Sequence, residues 1–500
     1  MVYAHRYPII SAEEGAAHIK HDMLVAFSGF TPSGAAKAIP RALATRAKAE
    51  HAAERAFKLR VLTGASTGKD LDEALAQAEA ISWRAPYQSS PTLRKQLNAG
   101  QVKFVDMHLS HLPQVVAEGF FGKIDIAVIE ATDITPDGRV FLSSSIGASP
   151  TFLREADKVI IEINRAHAPR VSEMSDIFLL PAPPNRSPIP LYGALDRIGF
   201  NFATVDPAKV IGVVETNEPD DVGGFDEPDP VSTAIGQNVI KFLFDEMTSG
   251  RIPREFLPMQ SGVGNIANAV MSALGESPDI PPFIMYSEVF QDSLIALMER
   301  GKLIGASTTS LTLSPPMMKR VYENMDFYAP RIVLRPQEIS NNPGVIRRLG
   351  VITTNTALEV DIYGHINSTH VCGSQMMNGI GGSGDFTRNA YISIYMCPST
   401  AKGGRISTLV PMCSHVDHNE HSVQVVITEQ GIADLRGLDP TERAHTLINK
   451  CAHPGYRDYL NKYIGEAERG HIPHILERAF ELHLNLKRTG SMLPEVFPAK

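Results

Sequence analysis

Cysteine is scarce in this chain: only Cys372, Cys397, Cys413 and Cys451 occur, all in the last third and none in a C-x-x-C pair. That excludes a disulfide framework and predicts reduced thiols, buried or half-buried. Long apolar runs are missing as well, and none approaches the ~20 residues of a membrane-crossing helix. Basic charge is in deficit, with 47 Lys and Arg against 55 Asp and Glu and a formal net charge of −8. Without a basic excess to displace counterions from phosphates, nonspecific nucleic-acid binding is excluded, and an anionic substrate has to be met by local donors. The opening MVYAHRYPII lacks both a basic region followed by an apolar stretch and an Arg/Ser-rich amphipathic leader, so the expected address is the cytoplasm.

What is present is the balance of a globular protein, 43% hydrophobic and 20% charged, on a chain too long for one ordinary core. In the first half, short apolar runs alternate with helical stretches. Met23–Phe30 ends in the turn Thr31-Pro32-Ser33-Gly34 before an Ala-rich helix. Leu59–Gly68 repeats the scheme, and Ile124–Ile134 and Lys158–Asn164 read as buried strands. Strands alternating with helices predict right-handed βαβ units on a mostly parallel sheet. The proline-rich loop Pro181–Pro188 is followed by Glu215–Pro230, which holds seven acids, three prolines and two glycines. Such a stretch reads as a linker, and a helix begins near Ser232 with Ile235, Val239, Phe242 and Leu243 on one face. These signals predict an α/β protein of two tandem domains, residues 1–222 and 223–500. A weak internal similarity supports the duplication: the block from Ile129 to Phe152 and the block from Leu358 to Phe386 each run from an acidic strand through a glycine turn to a glycine-bearing loop.

Six segments carry residues suited to chemistry. In Phe283–Gly301 the pattern predicts a strand, a turn and a core-facing helix, with Glu288 at the turn, where a helix N-terminus would keep its carboxylate ionised. The plainer reading makes Ser287 an N-cap and Glu288 a first-turn acid. Met376–Phe386 has four glycines in six residues, which lets backbone N–H groups approach a ligand closely without being a dinucleotide fingerprint. Leu257–Val270 is a small-residue loop opening a helix, able to pass an extended ligand or simply to pack. Lys402 lies in the glycine-bearing turn Ala401–Ser407, and Glu429 directly follows the strand-like VQVVI. His415, His418 and His421 invite a zinc reading, but their spacing suits solvated or hydrogen-bonded histidines better.

Together YSEVFQDS, SNNPGVIRRLG, EVDIYGHINST, MMNGIGGSGDF, STAKGGRIS, SHVDH and TEQGIADLRG, with SGFTPSG and LTGASTG in the first half, closely resemble the acetyl-CoA hydrolase/transferase family of class I CoA-transferases. Within it the likeness is nearest to the succinyl-CoA:acetate CoA-transferase group, and it covers essentially the whole chain. The resemblance implies two tandem, open, mostly parallel-sheet α/β domains of NagB/RpiA-like topology, with the active site in the cleft between them and a homodimeric assembly. It implies that Glu288 is the nucleophile. Gly382 and Val263 match positions whose backbone N–H groups polarise the thioester carbonyl, and Asn341 matches an amide that positions the reacting carboxylate. Gln260, Ser261, Gly262, Val263, Gly264, Leu358, Asn378, Gly382 and Lys402 fall where relatives contact CoA, and Glu429 matches a motif acid. Asn342 departs from the serine found in many relatives.

The implied reaction moves CoA between an acyl-CoA (acetyl-CoA or succinyl-CoA) and a small carboxylate such as acetate, through a glutamyl-CoA thioester. CoA is then a substrate; no tightly bound cofactor or metal is expected. Hydrolysis of acetyl-CoA, with water as acceptor, is the nearest alternative, and a ligand-binding protein with a dead site on the same fold is the other.

Overall fold

A computed structural model describes residues 6–224 and 228–498. The chain forms two compact units that are not contiguous in sequence. One comprises Met1–Gly224, Ile284–Leu349 and Asn378–Asp385, the other Phe225–Phe283, Gly350–Met377 and Phe386–Lys500. Residues 284–349 and 378–385 thus lie beyond the 222/223 boundary drawn from the sequence and pack in the first unit.

The first unit holds strands β1 (Leu24–Phe27), β2 (Leu59–Leu62), β3 (Ile81–Ala85), β4 (Lys103–Phe104), β5 (Ile126–Ile134), β6 (Arg139–Leu142), β7 (Lys158–Asn164), β8 (Ala203–Thr204) and β9 (Val210–Thr216). They run β4-β3-β2-β1-β5, with β7 and β9 continuing the sheet beyond β5, and every pairing along this path is parallel. The distal end of β5 turns through Gly138 into antiparallel β6, which pairs with β8. Strands β5 and β7 are near-continuous apolar runs because helices cover both faces of a parallel sheet, and almost all of their residues are buried.

The strand order reverses between β1 and β5, the place where open α/β sheets leave a crevice at their carboxyl ends. Here a buried charge cluster fills it. Lys37 Nζ lies 2.5 Å from Glu130 on β5 and 3.0 Å from Asp220. His167 Nε2 lies 3.1 Å from Glu130, and its Nδ1 is 2.7 Å from the Tyr322 hydroxyl. Glu162 on β7 accepts the N–H groups of Lys37, Ala38 and Ile39 at 2.7–3.1 Å, satisfying the first turn of helix Ala38–Ala52. Burial raises the cost of the Glu130 and Asp220 charges, but Lys37 and His167 outweigh it and hold both carboxyls below their ordinary range. Glu130, His167 and Asp220 come as close together as metal ligands would, yet the Lys37 ammonium takes the cation's place.

Asp220 corrects the reading of residues 215–230 as unpacked linker. It is buried, because its carboxylate is the counter-charge that Lys37 needs; residues 225–227 lie outside the described chain.

In the same unit, Ile332–Leu334, Leu303–Thr308 and the strand ending at Tyr286 lie side by side in that order. Val289–Gln291 pairs in parallel with Ser310–Thr312. Loops at the carboxyl edge of the large sheet hold this segment. Ser33 Oγ donates to the Leu311 carbonyl at 2.8 Å, Ser310 Oγ donates to the Phe30 carbonyl at 2.8 Å, and Gly147 N–H donates to Thr309 Oγ1 at 3.0 Å.

The second unit is also α/β. Met259–Ser261, Ile352–Thr356, Ile392–Met396 and Val425–Thr428 form parallel neighbours in that order, with antiparallel Gly431–Asp434 at the edge. Helix Pro230–Thr248 starts from an Asp229 cap and buries Ile235, Val239, Phe242 and Leu243, the face expected from their spacing. Both units are therefore of the α/β class with mostly parallel strands, as the sequence predicts. All four cysteines are free, three buried and Cys372 half-buried. No helix among the described residues is long and apolar enough to cross a membrane.

Removing one member of a buried ion cluster strands the others. Lys37→Met is expected to destabilise the protein by about 3–5 kcal/mol, read as a lowered urea midpoint. A midpoint equal to that of the wild type would show that the cluster is not a stability determinant.

Candidate active site

Glu288 sits in a short connection between the strand ending at Tyr286 and the strand Val289–Gln291. Its backbone is pinned there: its carbonyl accepts from Thr309 N–H at 2.9 Å and from Thr308 Oγ1 at 2.6 Å, and Ser287 N–H donates to the Ser307 carbonyl at 2.9 Å. This corrects the strand-turn-helix reading. The helix begins only at Asp292, because Val289–Gln291 finds a partner strand that local periodicity cannot reveal. Glu288 is consequently neither at a helix N-terminus nor kept ionised by one, and Ser287 is no N-cap. Instead burial drives its carboxyl up to about 7; the Asn341 hydrogen bond opposes the rise and Asp385 adds to it.

Asn341 follows the short helix Gln337–Ser340 and is fully buried. Its Nδ2 donates to Glu288 Oε1 at 2.5 Å and reaches Asp385 Oδ2 at 3.4 Å, while Ser340 Oγ donates to its Oδ1 at 2.9 Å. Asn342 caps the next helix by accepting from Gly344 and Val345 N–H at 3.0 and 3.2 Å. Serine does the same work at such a position.

Gly382 closes the site. A Cβ built there would overlap the Glu288 carboxylate and the Asn341 amide, so only glycine brings backbone this close to the acid. Gly379 and Gly381, with φ of 150° and 60°, shape the approach. Beneath the loop lies a support that the sequence reading missed. Asp106 accepts from Ile380 N–H at 2.9 Å, His108 packs where a side chain at Gly384 would stand, and Ser110 donates to Asp385. The Tyr87 ring covers Gly379 and Gly381, and Arg94 donates to Asn378 Oδ1 at 2.6 Å. The only signal in the sequence was the polar alternation of Asp106-Met-His-Leu-Ser110 after β4. Asp385 was inside a quoted motif but carried no assigned role.

Glu288, Asn341, Gly382 and Asn378 thus gather in the first unit. The other candidates lie in the second, at the carboxyl ends of its parallel strands, where ligands of open α/β sheets bind. Gln260 and Ser261 end one strand and are buried; Gly262, exposed Val263 and Gly264 lead from it into helix Asn265–Glu276, with Gly264 at φ 110°. Leu358, also exposed, lies two residues past Thr356. Lys402 occupies an exposed turn at φ 49° beyond Met396. Glu429 directly follows Thr428 and accepts Ser399 N–H at 2.8 Å as well as the Ser399 hydroxyl. Burial pushes its carboxyl up, but these donors outweigh it and hold it below the ordinary range. The three histidines have separate partners: His415 pairs with Asp417 at 3.2 Å, the His418 ring lies 5.3 Å from that of Tyr395, and His421 is exposed beside Glu420.

A carboxylate held by a buried amide, with glycine backbone against it, is an arrangement suited to acyl-group chemistry. Comparison with known proteins gives the family. Family models described as acetyl-CoA hydrolase/transferase N-terminal domain and C-terminal domain match residues 1–215 and 318–464. A propanoyl-CoA:succinate CoA transferase of Escherichia coli K12 is 59% identical over 484 residues, covering 97% of this chain and 98% of that protein. A succinyl-CoA:acetate CoA-transferase of Clostridium kluyveri is 49% identical, covering 97% and 90%. Among solved structures, RipA from Yersinia pestis superposes with a TM-score of 0.71 at 24% identity, covering 92% of this chain and 98% of that one, which speaks for the fold.

Two outcomes follow from the geometry. Gly382→Ala is expected to fold normally and to lose turnover by ~10²-fold or more, because its Cβ would push the Glu288 carboxylate and the Asn341 amide aside and misplacement by ~1 Å can cost that much; near-normal turnover would remove Gly382 from the reacting centre. A Glu288 carboxyl near 7 predicts that activity is present above that pH and falls away below it, as Glu288 becomes protonated. A profile of kcat/KM for acyl-CoA that stays flat from pH 8 to pH 5.5 would contradict this.

Proposed function

The chain belongs to the acetyl-CoA hydrolase/transferase family, and from that footing we propose that it transfers CoA between acetyl-CoA or succinyl-CoA and a small carboxylate such as acetate, through a thioester on Glu288. The observation that carries the mechanism is the Glu288 carboxylate, hydrogen-bonded to Asn341 at 2.5 Å and seated where Gly382 leaves no room for a side chain.

A Glu288 oxygen attacks the acyl-CoA carbonyl carbon. The oxyanion is met by backbone N–H groups, for which Gly382 and Val263 are the assigned donors. The C–S bond breaks, CoA leaves as thiolate, and a mixed anhydride of Glu288 and the acyl group remains. The thiolate then attacks the Glu288 carbonyl, expelling the acyl carboxylate and leaving glutamyl-CoA. An incoming carboxylate attacks that thioester, regenerating an anhydride and the thiolate. The thiolate takes the new acyl group and Glu288 returns as carboxylate. No proton is gained or lost over the cycle.

A carboxylate is a weak nucleophile towards a thioester, so contacts with the nonreacting CoA body have to contribute at the reacting centre. The assigned contacts are the Gln260–Gly264 loop, Leu358, Asn378 and Lys402. Glu429, ionised at a strand end, is assigned to the same machinery. On this reading CoA is a substrate and not a resident cofactor.

Incubation with acetyl-CoA and no acceptor, then borohydride, is expected to reduce the thioester to an alcohol and leave a mass loss on the Phe283–Gly301 peptide alone. Glu288→Ala is expected to abolish both label and transfer. Glu288→Asp is expected to lose ~10²-fold, since the carboxylate withdraws by ~1 Å. A label on another residue, or transfer by Glu288→Ala, overturns the mechanism. Acyl-CoA consumption that ignores added acetate or succinate would assign the chain to hydrolysis instead.

A further inference from the structure

We infer that Asp385 is a positioning residue for this reaction, bracing the Asn341 amide against Glu288 and placing a second carboxylate charge beside the nucleophile. The inference rests on Glu288 being that nucleophile.

Asp385 is 3% exposed. Ser110 N–H donates to its Oδ2 at 3.0 Å and Ser110 Oγ to its Oδ1 at 2.6 Å. The third donor is Asn341 Nδ2 at 3.4 Å, the same nitrogen that donates to Glu288 at 2.5 Å. An amide nitrogen has two hydrogens, and here they are directed at two carboxylates. The other end of the amide accepts from Ser340 Oγ. A flipped amide would set its oxygen against both acids, whereas the Ser340 hydroxyl could rotate to suit either orientation. Asp385 therefore favours the orientation in which Asn341 can serve Glu288.

The charge has its own consequence. Two carboxyls joined through one nitrogen titrate as a pair. Burial raises Asp385 to about 7 even though Ser110 and Asn341 favour its ionised form, and burial raises Glu288 to about 7 with Asp385 adding to the rise. Whenever Asp385 is ionised, its charge opposes ionisation of Glu288. When Glu288 becomes an anhydride or thioester its charge disappears and the repulsion with it. Asp385 thus disfavours the free nucleophile relative to the covalent intermediate, which is the direction that assists catalysis.

The other titratable groups around the pair are Tyr87, which feels the charges of Glu288, Asp106 and Arg94, Asp106 beneath Ile380 and His108 beside Gly384. All are retained in Asp385→Asn and Ser110→Ala, so a difference from the wild type reports the Asp385 charge.

The test is the pH dependence of kcat/KM for acetyl-CoA in wild type and in both variants, with the borohydride label measured in each. Asp385→Asn is expected to move the acid limb to lower pH by about 0.5–1 unit, because a like charge has gone. It is also expected to lower the plateau about 10-fold or more, since a loosened Asn341 misplaces the nucleophile and misplacement by 1 Å can cost ~10²-fold. Ser110→Ala, which leaves Asp385 protonated to higher pH, is expected to move the limb the same way by less. If Asp385→Asn does not fold, Ser110→Ala decides alone. A limb that stays where the wild type has it overturns the inference, since a packing role does not move it. Absence of the label from wild-type Glu288 would instead overturn the nucleophile assignment, so the two failures are distinguishable.

Discussion

The active centre depends on one steric fact: backbone at Gly382 stands so close to the Glu288 carboxylate that no Cβ fits between them. Everything around it serves that approach. Gly379 and Gly381 take positive φ to deliver the loop, and Asp106 fastens the loop through Ile380 N–H. Tyr87 and His108 fill the space beside it, where side chains on Gly379 or Gly384 would stand. On the opposite side, Thr308 and Thr309 hold the Glu288 carbonyl so that the acid cannot withdraw. A loop this rich in glycine would lose much conformational entropy if it closed alone. Its fixed partners are what make a single conformation stable.

That arrangement is traceable back into the large parallel sheet. Lys37 and its counter-ions occupy the point where strand order reverses, between β1 and β5. The turn after β1 runs from Ser28 towards this cluster, and Gly34 N–H is bound by Asp220 at 3.2 Å. The same turn carries Phe30, Thr31 and Ser33, which hydrogen-bond Ser310, Thr312 and Leu311. Ser310–Thr312 is the partner strand of Val289–Gln291, immediately after Glu288. Buried charge is a costly way to fill a crevice, but here it fixes the turn that fixes the strand that fixes Glu288. A parallel α/β sheet ordinarily leaves this crevice for a ligand; in this unit it is used to dock another part of the same chain.

The legibility of the sequence divides along these lines. Periodicity located β5, β7 and helix Pro230–Thr248 to within a few residues, because apolar runs and one-sided stripes follow from burial itself. Glu288 and the glycine loop stood out by residue type and motif. What failed was anything decided by a distant partner. Val289–Gln291 looks like the start of a helix until Ser310–Thr312 pairs with it, and with the helix went the dipole argument for an ionised Glu288. Asp220 looks like one more acid in a solvated stretch until Lys37 is placed beside it. Asp106, His108 and Ser110 show locally no more than a polar alternation, since their function comes from lying beneath a loop 274 residues later in the case of Asp106 and Ile380.

The raised carboxyl of Glu288 then looks like a compromise with a definite logic. A carboxylate buried and faced by a second acid is harder to ionise, so less of the enzyme carries an ionised Glu288 at neutral pH. The fraction that is ionised is more basic and less well solvated and, in the proposed role of nucleophile, would attack a thioester more readily than an exposed glutamate. With its value near 7, the loss in ionised fraction is about twofold at pH 7, whereas the gain acts on the barrier of every productive encounter. Asn341 limits the cost by donating to the ionised form, and because the amide also bridges to Asp385, the same nitrogen that steadies the charge couples it to the neighbour that opposes it. On the proposed mechanism, covalent capture of the acyl group or of CoA would release that opposition, leaving the site least strained in the intermediates through which that mechanism passes.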